Sequence, residues 1–71
     1  MQQFNLAGQP FIALNNLLKL EGWCDSGGQA KQVIDAGLVT VDGAVELRRR
    51  CKIRVGQVVA FEGNMIAVVD E

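Results

Sequence analysis

Apolar residues recur at helical spacing in a segment near the start of the chain. They are Phe11, Leu14, Leu17 and Leu18, with polar side chains between them. Pro10 precedes this segment, and its fixed φ suits the first turn of a helix. Gly22 follows it and is a typical helix stop. The spacing therefore predicts a first helix that begins near Pro10 and ends at Gly22.

A second helix is predicted after Ser26. Ser26 is followed three residues later by Gln29, which is the spacing of a capping box, in which each side chain accepts a hydrogen bond from the other residue's backbone N–H. The apolar stripe consists of Ala30, Val33 and Ile34. Polar side chains cover the remaining faces, and Gly37 ends the helix.

Beyond Leu38 the hydrophobic period changes to that of strands. Asp42-Gly43 lies between β-branched residues, which favours a short hairpin, and a second hairpin is predicted around 62–64. No repeat or linker divides the chain, so residues 1–71 are expected to form a single domain. The predicted fold class is α+β, with two N-terminal helices packed on a small, mainly antiparallel sheet of about four short strands.

Positive charge is concentrated in the sequence RRRCKIR, residues 48–54. This segment holds five of the seven Lys and Arg residues and has a charge of +5, while residues 1–47 and 55–71 each have a charge of −3. If the segment is extended, its alternate side chains share one face about 6.6 Å apart, and this face carries Arg48, Arg50, Lys52 and Arg54. The other face carries Arg49, Cys51, Ile53 and Val55. A row of cations favours a polyanion as partner, although charge on an edge strand also serves to block aggregation.

Three smaller features lie near the second helix. Gly27 and Gly28 open it, where free N–H groups attract anions, but these glycines equally ease a tight turn. Lys31 projects from the same helix and can contact phosphate or pair with Asp35 four residues on. Trp23 can stack on a base, yet a lone Trp between two helices more often packs.

Composition argues against several classes of function. The chain has no histidine, and its two cysteines, Cys24 and Cys51, are isolated, so neither a metal nor another cofactor is expected. The thiols lack a neighbouring base, so the chain is not expected to be an enzyme, and no small-molecule substrate is expected. The longest apolar run is 65–69, and the N-terminus does not have the pattern of a signal peptide. We therefore expect free thiols, a cytoplasmic location and no membrane partner.

The stretch DSGGQAKQVIDAGLVTVDGAV resembles the RNA-binding domain named for small-subunit ribosomal protein four, also called the alpha-L motif. The family pattern runs Ser-Arg-x-Glu-Ala, a basic residue, an apolar pair, a Gly and a Val-x-Val-Asn-Gly turn. The matching positions are 26–30, Lys31, 33–34, Gly37 and 39–43, and VGQVVAF is similar to a later turn and strand. The resemblance covers residues 12–61, and LLKLEGW and VDGAVELRRRCKI are similar to small stand-alone bacterial members.

The resemblance implies an RNA-binding protein with two helices against a small, mainly antiparallel sheet. Its expected partner is structured RNA, with ribosomal and transfer RNA as candidates, bound alone or on a ribosomal particle. The expected RNA-binding residues are Ser26, Gly27, Gly28, Lys31, Arg48, Arg49, Arg50, Lys52 and Arg54. Gly27 departs from the family's Arg, which commonly faces RNA, and this shifts the expected contacts toward Lys31 and 48–52. The alternative is a protein-interaction module whose Arg cluster binds an acidic protein partner.

Overall fold

The first helix begins later than the sequence predicts. The computed structural model describes all of residues 1–71, and helix α1 runs from Leu14 to Leu20. Residues 10–11 precede a two-residue strand, Ile12–Ala13, so Pro10 does not open the helix. The predicted end is confirmed, because Gly22 has a φ of +76° just beyond the C-cap residue Glu21. Leu14, Leu17 and Leu18 are fully buried as the spacing predicts.

The second helix agrees with the sequence prediction. Helix α2 runs from Gly27 to Asp35, with Ser26 as its N-cap and Gly37 beyond its C-cap. Ala30 and Ile34 are buried, and Val33 packs against the core. The two helices pack against each other, and this contact buries the apolar stripe of each.

The strands form a mixed five-stranded sheet and a separate two-stranded ribbon. In chain order the strands are β1 (Gln2–Asn5), β2 (Ile12–Ala13), β3 (Val39–Val41), β4 (Ala44–Val45), β5 (Lys52–Ile53), β6 (Val58–Phe61) and β7 (Asn64–Val69). The sheet has the order β1-β7-β6-β3-β4, and β2 pairs with β5 in the antiparallel ribbon. All pairs are antiparallel except β1 with β7.

Both predicted hairpins are confirmed. The β3–β4 turn is Asp42-Gly43, and the β6–β7 turn is Glu62-Gly63. All four residues have positive φ, as the type I′ turns of two-residue hairpins require. Asp42 also accepts a hydrogen bond from the Val58 N–H through Oδ1 at 2.9 Å, which ties the first turn to β6.

The predicted placement of the helices at the N-terminus and the predicted strand count are wrong. β1 precedes both helices and joins the edge of the sheet by parallel pairing with β7, from Gln2 opposite Ile66 to Asn5 opposite Val69. The sheet therefore has five strands, and the ribbon adds two. Four residues with a partner more than sixty positions away give little local signal, so the pattern of 2–5 alone did not predict a strand.

The core lies between the helices and the inner face of the sheet. It consists of fourteen buried residues, and every one is apolar. Ile53 extends this core to the ribbon, since it is fully buried next to the exposed Lys52. Neither helix has the length and apolar character that crossing a bilayer requires.

Candidate nucleic-acid interface

The basic segment, residues 48–54, is a loop that leads into a very short strand. We call it the basic loop. Only Lys52 and Ile53 have strand conformation, while Arg49 and Arg50 lie in a turn that the Cys51 N–H closes by donating to the Arg48 carbonyl at 3.1 Å. The prediction of four cations along one extended face is therefore wrong. The opposite face of the predicted strand is not buried as a whole either, because Val55 is exposed.

Arg48 differs from the other cations because it has an acidic partner. Its Nε and Nη2 atoms donate to the Glu46 carboxylate at 3.0 Å each, and its backbone N–H donates to the same group at 2.9 Å. The Arg48 side-chain hydrogen bond is the main cause that lowers the pKa of Glu46 to about 2. Arg48 is thus largely neutralised in the free protein, although its side chain is 76% exposed.

Arg48, Arg50 and Lys52 come together at the surface. With Cys51 they line a shallow depression of about 360 Å³. No acidic side chain lines it, and Glu46–Arg48 is the one ion pair in the structure. The depression is therefore positively charged and open, a shape and charge suited to an anionic backbone rather than to an enclosed small molecule.

Lys52 and Arg54 share a face of the β2–β5 ribbon, as the alternation predicts. Lys52 Nζ lies 5.1 Å from the centroid of the Phe11 ring, and Arg54 Cζ lies 5.6 Å from it. Arg54 Nη1 also donates to the Pro10 carbonyl at 3.4 Å. Ile53, between the two cations, points the other way into the core. Phe11 was predicted on the helix, so its contact with these cations is a feature that the sequence did not reveal.

The basic loop is held by its main chain. The Leu14 and Asn15 N–H groups at the start of α1 donate to the carbonyl oxygens of Cys51 and Arg49, both at 2.9 Å. These two N–H groups have no acceptor within the helix, and the α1 N-cap, Ala13, makes no side-chain bond to them. The loop therefore caps α1 with its carbonyl groups, and this leaves the side chains of Arg49 and Arg50 exposed.

The start of α2 has the predicted cap with one change of partner. Ser26 Oγ accepts from the Gln29 N–H at 3.1 Å, while Gln29 Oε1 accepts from the Asp25 N–H at 2.7 Å instead of from Ser26. Shifting the return bond by one residue still satisfies a backbone donor before the helix. The N–H groups of Gly27 and Gly28 have no hydrogen-bond partner in the structure.

Two lysines lie near this helix start and outside the basic loop. Lys31 is exposed on α2 and forms no ion pair with Asp35. Lys19 comes from α1, and its Nζ lies 4.0 Å from the position that a Cβ on Gly27 would occupy. The start of α1 contacts the basic loop, and Lys19 near its end lies beside the start of α2. Sequence reasoning missed Lys19, because an exposed lysine on a helix carries no signal of what lies across from it.

The surroundings of the two cysteines and of Trp23 indicate that these side chains pack against the core. Cys24 is buried, Cys51 is half-buried, and both thiols are free. Burial is the main cause that raises the pKa of each thiol, which disfavours the reactive thiolate. Trp23 packs against the core. No group of three or more His, Cys, Asp or Glu side chains lies close enough together to hold a metal ion.

The chain matches known proteins over nearly all of its length. The family model described as "S4 domain" matches residues 4–69, which extends the resemblance of 12–61 to β1 and β7. The chain is 55% identical over 69 residues to "Putative RNA-binding protein YbcJ" of Escherichia coli K12, covering 97% of this chain and 99% of that protein. The same figures apply to "Uncharacterized protein YbcJ" of Shigella flexneri.

A solved structure shares the fold. The solution structure of the Escherichia coli YbcJ protein superposes with a TM-score of 0.74 at 55% identity, covering 97% of this chain and 87% of that one. It is described as revealing an alpha-L motif involved in RNA binding. Family match, sequence identity and fold agree, and the chain belongs to the S4 domain family, the family named for ribosomal protein four.

Proposed function

We propose that the chain binds structured RNA through the basic loop and the start of α2, with residues 1–71 acting as one domain. The observation that carries the proposal is the depression lined by Arg48, Arg50 and Lys52, which no acidic side chain enters. Membership of the S4 domain family and the descriptions of the Escherichia coli relative support the same function. The proposal assigns the chain no catalytic step.

The proposed contacts divide into three groups. Arg49, Arg50, Lys52 and Arg54 of the basic loop contact phosphates, and Arg48 contributes weakly because Glu46 neutralises it. At the start of α2, Ser26 orders the first turn, and the Gly27 and Gly28 N–H groups are free to donate to a phosphate. Lys31 and Lys19 flank that turn.

The recognition we propose rests on the RNA backbone and its shape more than on base edges. The chain has four aromatic side chains, of which Trp23 and Phe4 pack on the core and Phe61 is buried in it. Few rings are thus left to stack on bases, and a backbone-directed surface recognises folded RNA by the spacing of its phosphates. We propose ribosomal and transfer RNA as the target classes. The two free cysteines are consistent with a cytoplasmic location, where both RNAs occur.

The test is fluorescence anisotropy with labelled RNA at stepped salt concentrations. Wild type is compared with Arg50→Gln/Lys52→Gln, and with Gln2→Glu/Gln3→Glu as a control that changes net charge equally on the exposed edge strand β1. A surface that neutralises about three to four phosphates gives a slope of roughly −2 to −4 in log K against log salt. The loop variant should lose about 1.4 to 1.8 units of slope, and the control should lose almost none.

The RNA probes are a transfer RNA, a ribosomal hairpin and an unstructured strand of equal length. Preference for the two folded probes supports the proposed targets, and equal binding to the unstructured strand refutes recognition of shape. Absence of binding at low salt, or an equal loss in both variants, refutes the RNA-binding site. Binding to a purified acidic protein without a response to RNA would instead favour the protein-interaction alternative.

A further inference from the structure

Phe11 is an aromatic residue on the outward side of the β2–β5 ribbon, where its ring lies next to two cations, Lys52 and Arg54. In the β2–β5 ribbon, Ile12 lies opposite Ile53 and Ala13 opposite Lys52, so the continued register places Phe11 opposite Arg54. The ring centroid is 5.1 Å from Lys52 Nζ and 5.6 Å from Arg54 Cζ. Both distances fall within the range in which a cation is attracted to the face of an aromatic ring.

Core packing does not explain this ring. Phe11 is half-buried, but it is not one of the partly buried hydrophobic side chains that pack against the core, which are Phe4, Ile12, Trp23, Val33 and Cys51. The neighbouring Ile12 points to the core side of the ribbon, and alternation places Phe11 on the outward side. A phenylalanine in this place covers the stems of two cations.

The two cations beside the ring have no acidic partner. Lys52 and Arg54 form no ion pair, and the Arg54 bond to the Pro10 carbonyl is long at 3.4 Å. Two like charges two residues apart on one strand face repel each other, and each long side chain loses rotamer freedom when it binds a phosphate. Attraction to the face of the ring opposes this repulsion and favours side-chain positions beside the ring.

We propose that Phe11 is a positioning residue for RNA binding, and that its ring holds Lys52 and Arg54 in place to contact phosphates. The inference rests on the proposed function, since it concerns two of the proposed contacts. It assigns Phe11 no contact with RNA. Its effect on affinity therefore requires the two cations, and this requirement separates it from a structural role.

The test is a double-mutant cycle measured by RNA anisotropy. Phe11→Leu is made in wild type and in Lys52→Gln/Arg54→Gln, and Phe11→Trp serves as the variant that keeps an aromatic face. We expect Phe11→Leu to weaken binding roughly three- to tenfold, with the salt slope unchanged because no charge is removed. Phe11→Trp should bind RNA about as tightly as wild type. Phe11→Leu should have no effect on affinity in the Lys52→Gln/Arg54→Gln background.

Measurements on the free protein complete the test. Thermal unfolding shows whether each variant is folded, and proton NMR reports the upfield ring-current shift of the Lys52 and Arg54 side chains, which should disappear in Phe11→Leu. Equal weakening in both backgrounds, no weakening in wild type, or an unchanged NMR shift overturns the inference and leaves the proposed function standing. Absence of RNA binding by wild type overturns both.

Discussion

Glu46 neutralises Arg48 in the basic loop that we propose binds RNA, so removing the Glu46 charge should raise the affinity for RNA. The carboxylate accepts two side-chain bonds of 3.0 Å from Arg48 and one backbone bond, and its side chain is only 17% exposed. Glu46→Gln keeps the size of the side chain and an oxygen acceptor, but it removes the negative charge. Arg48, which lines the depression beside Arg50 and Lys52, then carries an unneutralised charge.

The size of the effect follows from counterion release. One additional neutralised phosphate steepens the plot of log K against log salt by about 0.7 to 0.9. When salt is lowered from about 1 M to about 0.1 M, one such contact increases the affinity for RNA by an additional factor of roughly five to eight. The gain should therefore be clear at low salt and should fade as salt is raised.

The assay is anisotropy with a folded RNA, comparing wild type, Glu46→Gln and Glu71→Gln. Glu71→Gln is the matched control, because it makes the same charge change beyond β7 at a residue that contacts no cation through an ion pair. A slope for Glu46→Gln that equals those of wild type and control would refute the reasoning. So would equal gains in the two variants, since the effect would then come from net charge alone.

Three further predictions concern the same surface. The Glu46 carboxyl should titrate near its pKa of about 2 in carbon-detected NMR, and Arg48→Gln should return it toward 4.5. Because the pKa of Glu46 is lowered in the folded state, its pairing with Arg48 stabilises the fold above pH 4.5, and this stabilisation is lost as the pH falls from 4.5 through about 2. The free energy of unfolding of Glu46→Gln should therefore depend less on pH in this range than that of wild type. Ser26→Ala should lower the free energy of unfolding in urea by about 1 kcal/mol through loss of the α2 cap, and no change would show that the Gln29–Asp25 bond suffices. Lys19→Gln should reduce the salt slope by about 0.7 to 0.9, and an unchanged slope would remove Lys19 from the proposed surface.

The sequence correctly predicted the elements whose ends depend on interactions between residues close together in the chain. The Ser26–Gln29 spacing located the start of α2, and the Asp42-Gly43 turn located the first hairpin, because each feature acts over two to four residues. The first helix was placed too early because Phe11 matches the helical period of Leu14 and Leu18. Two residues of pairing between β2 and β5 override that period, and a bridge to a strand forty residues away leaves no local pattern.

The candidate site was predicted by composition but not in its geometry. The charge count identified the basic loop, and alternation correctly placed Lys52 and Arg54 on one face. The charge count did not identify the role of Glu46, which lies two residues before Arg48 and neutralises its charge. It also missed Lys19, whose position depends on how α1 packs beside α2. The place of Lys19 beside the start of α2 is set by tertiary packing, which a single sequence does not reveal, whereas the Glu46–Arg48 pair spans only two residues.

The basic loop is anchored without the use of its charges, so an acidic chain can keep these cations exposed at its surface. The Arg49 and Cys51 carbonyl groups accept from α1, and the Ile53 side chain is fully buried, so the loop is fixed by its main chain and by one apolar side chain. Neither anchor uses a charge. The charged side chains of Arg49, Arg50 and Lys52 are exposed and make no contribution to capping α1. Substituting them should change RNA binding while the fold stays intact, whereas Ile53→Ala should unfold or loosen the loop at a cost of roughly 2 to 5 kcal/mol with every charge still present.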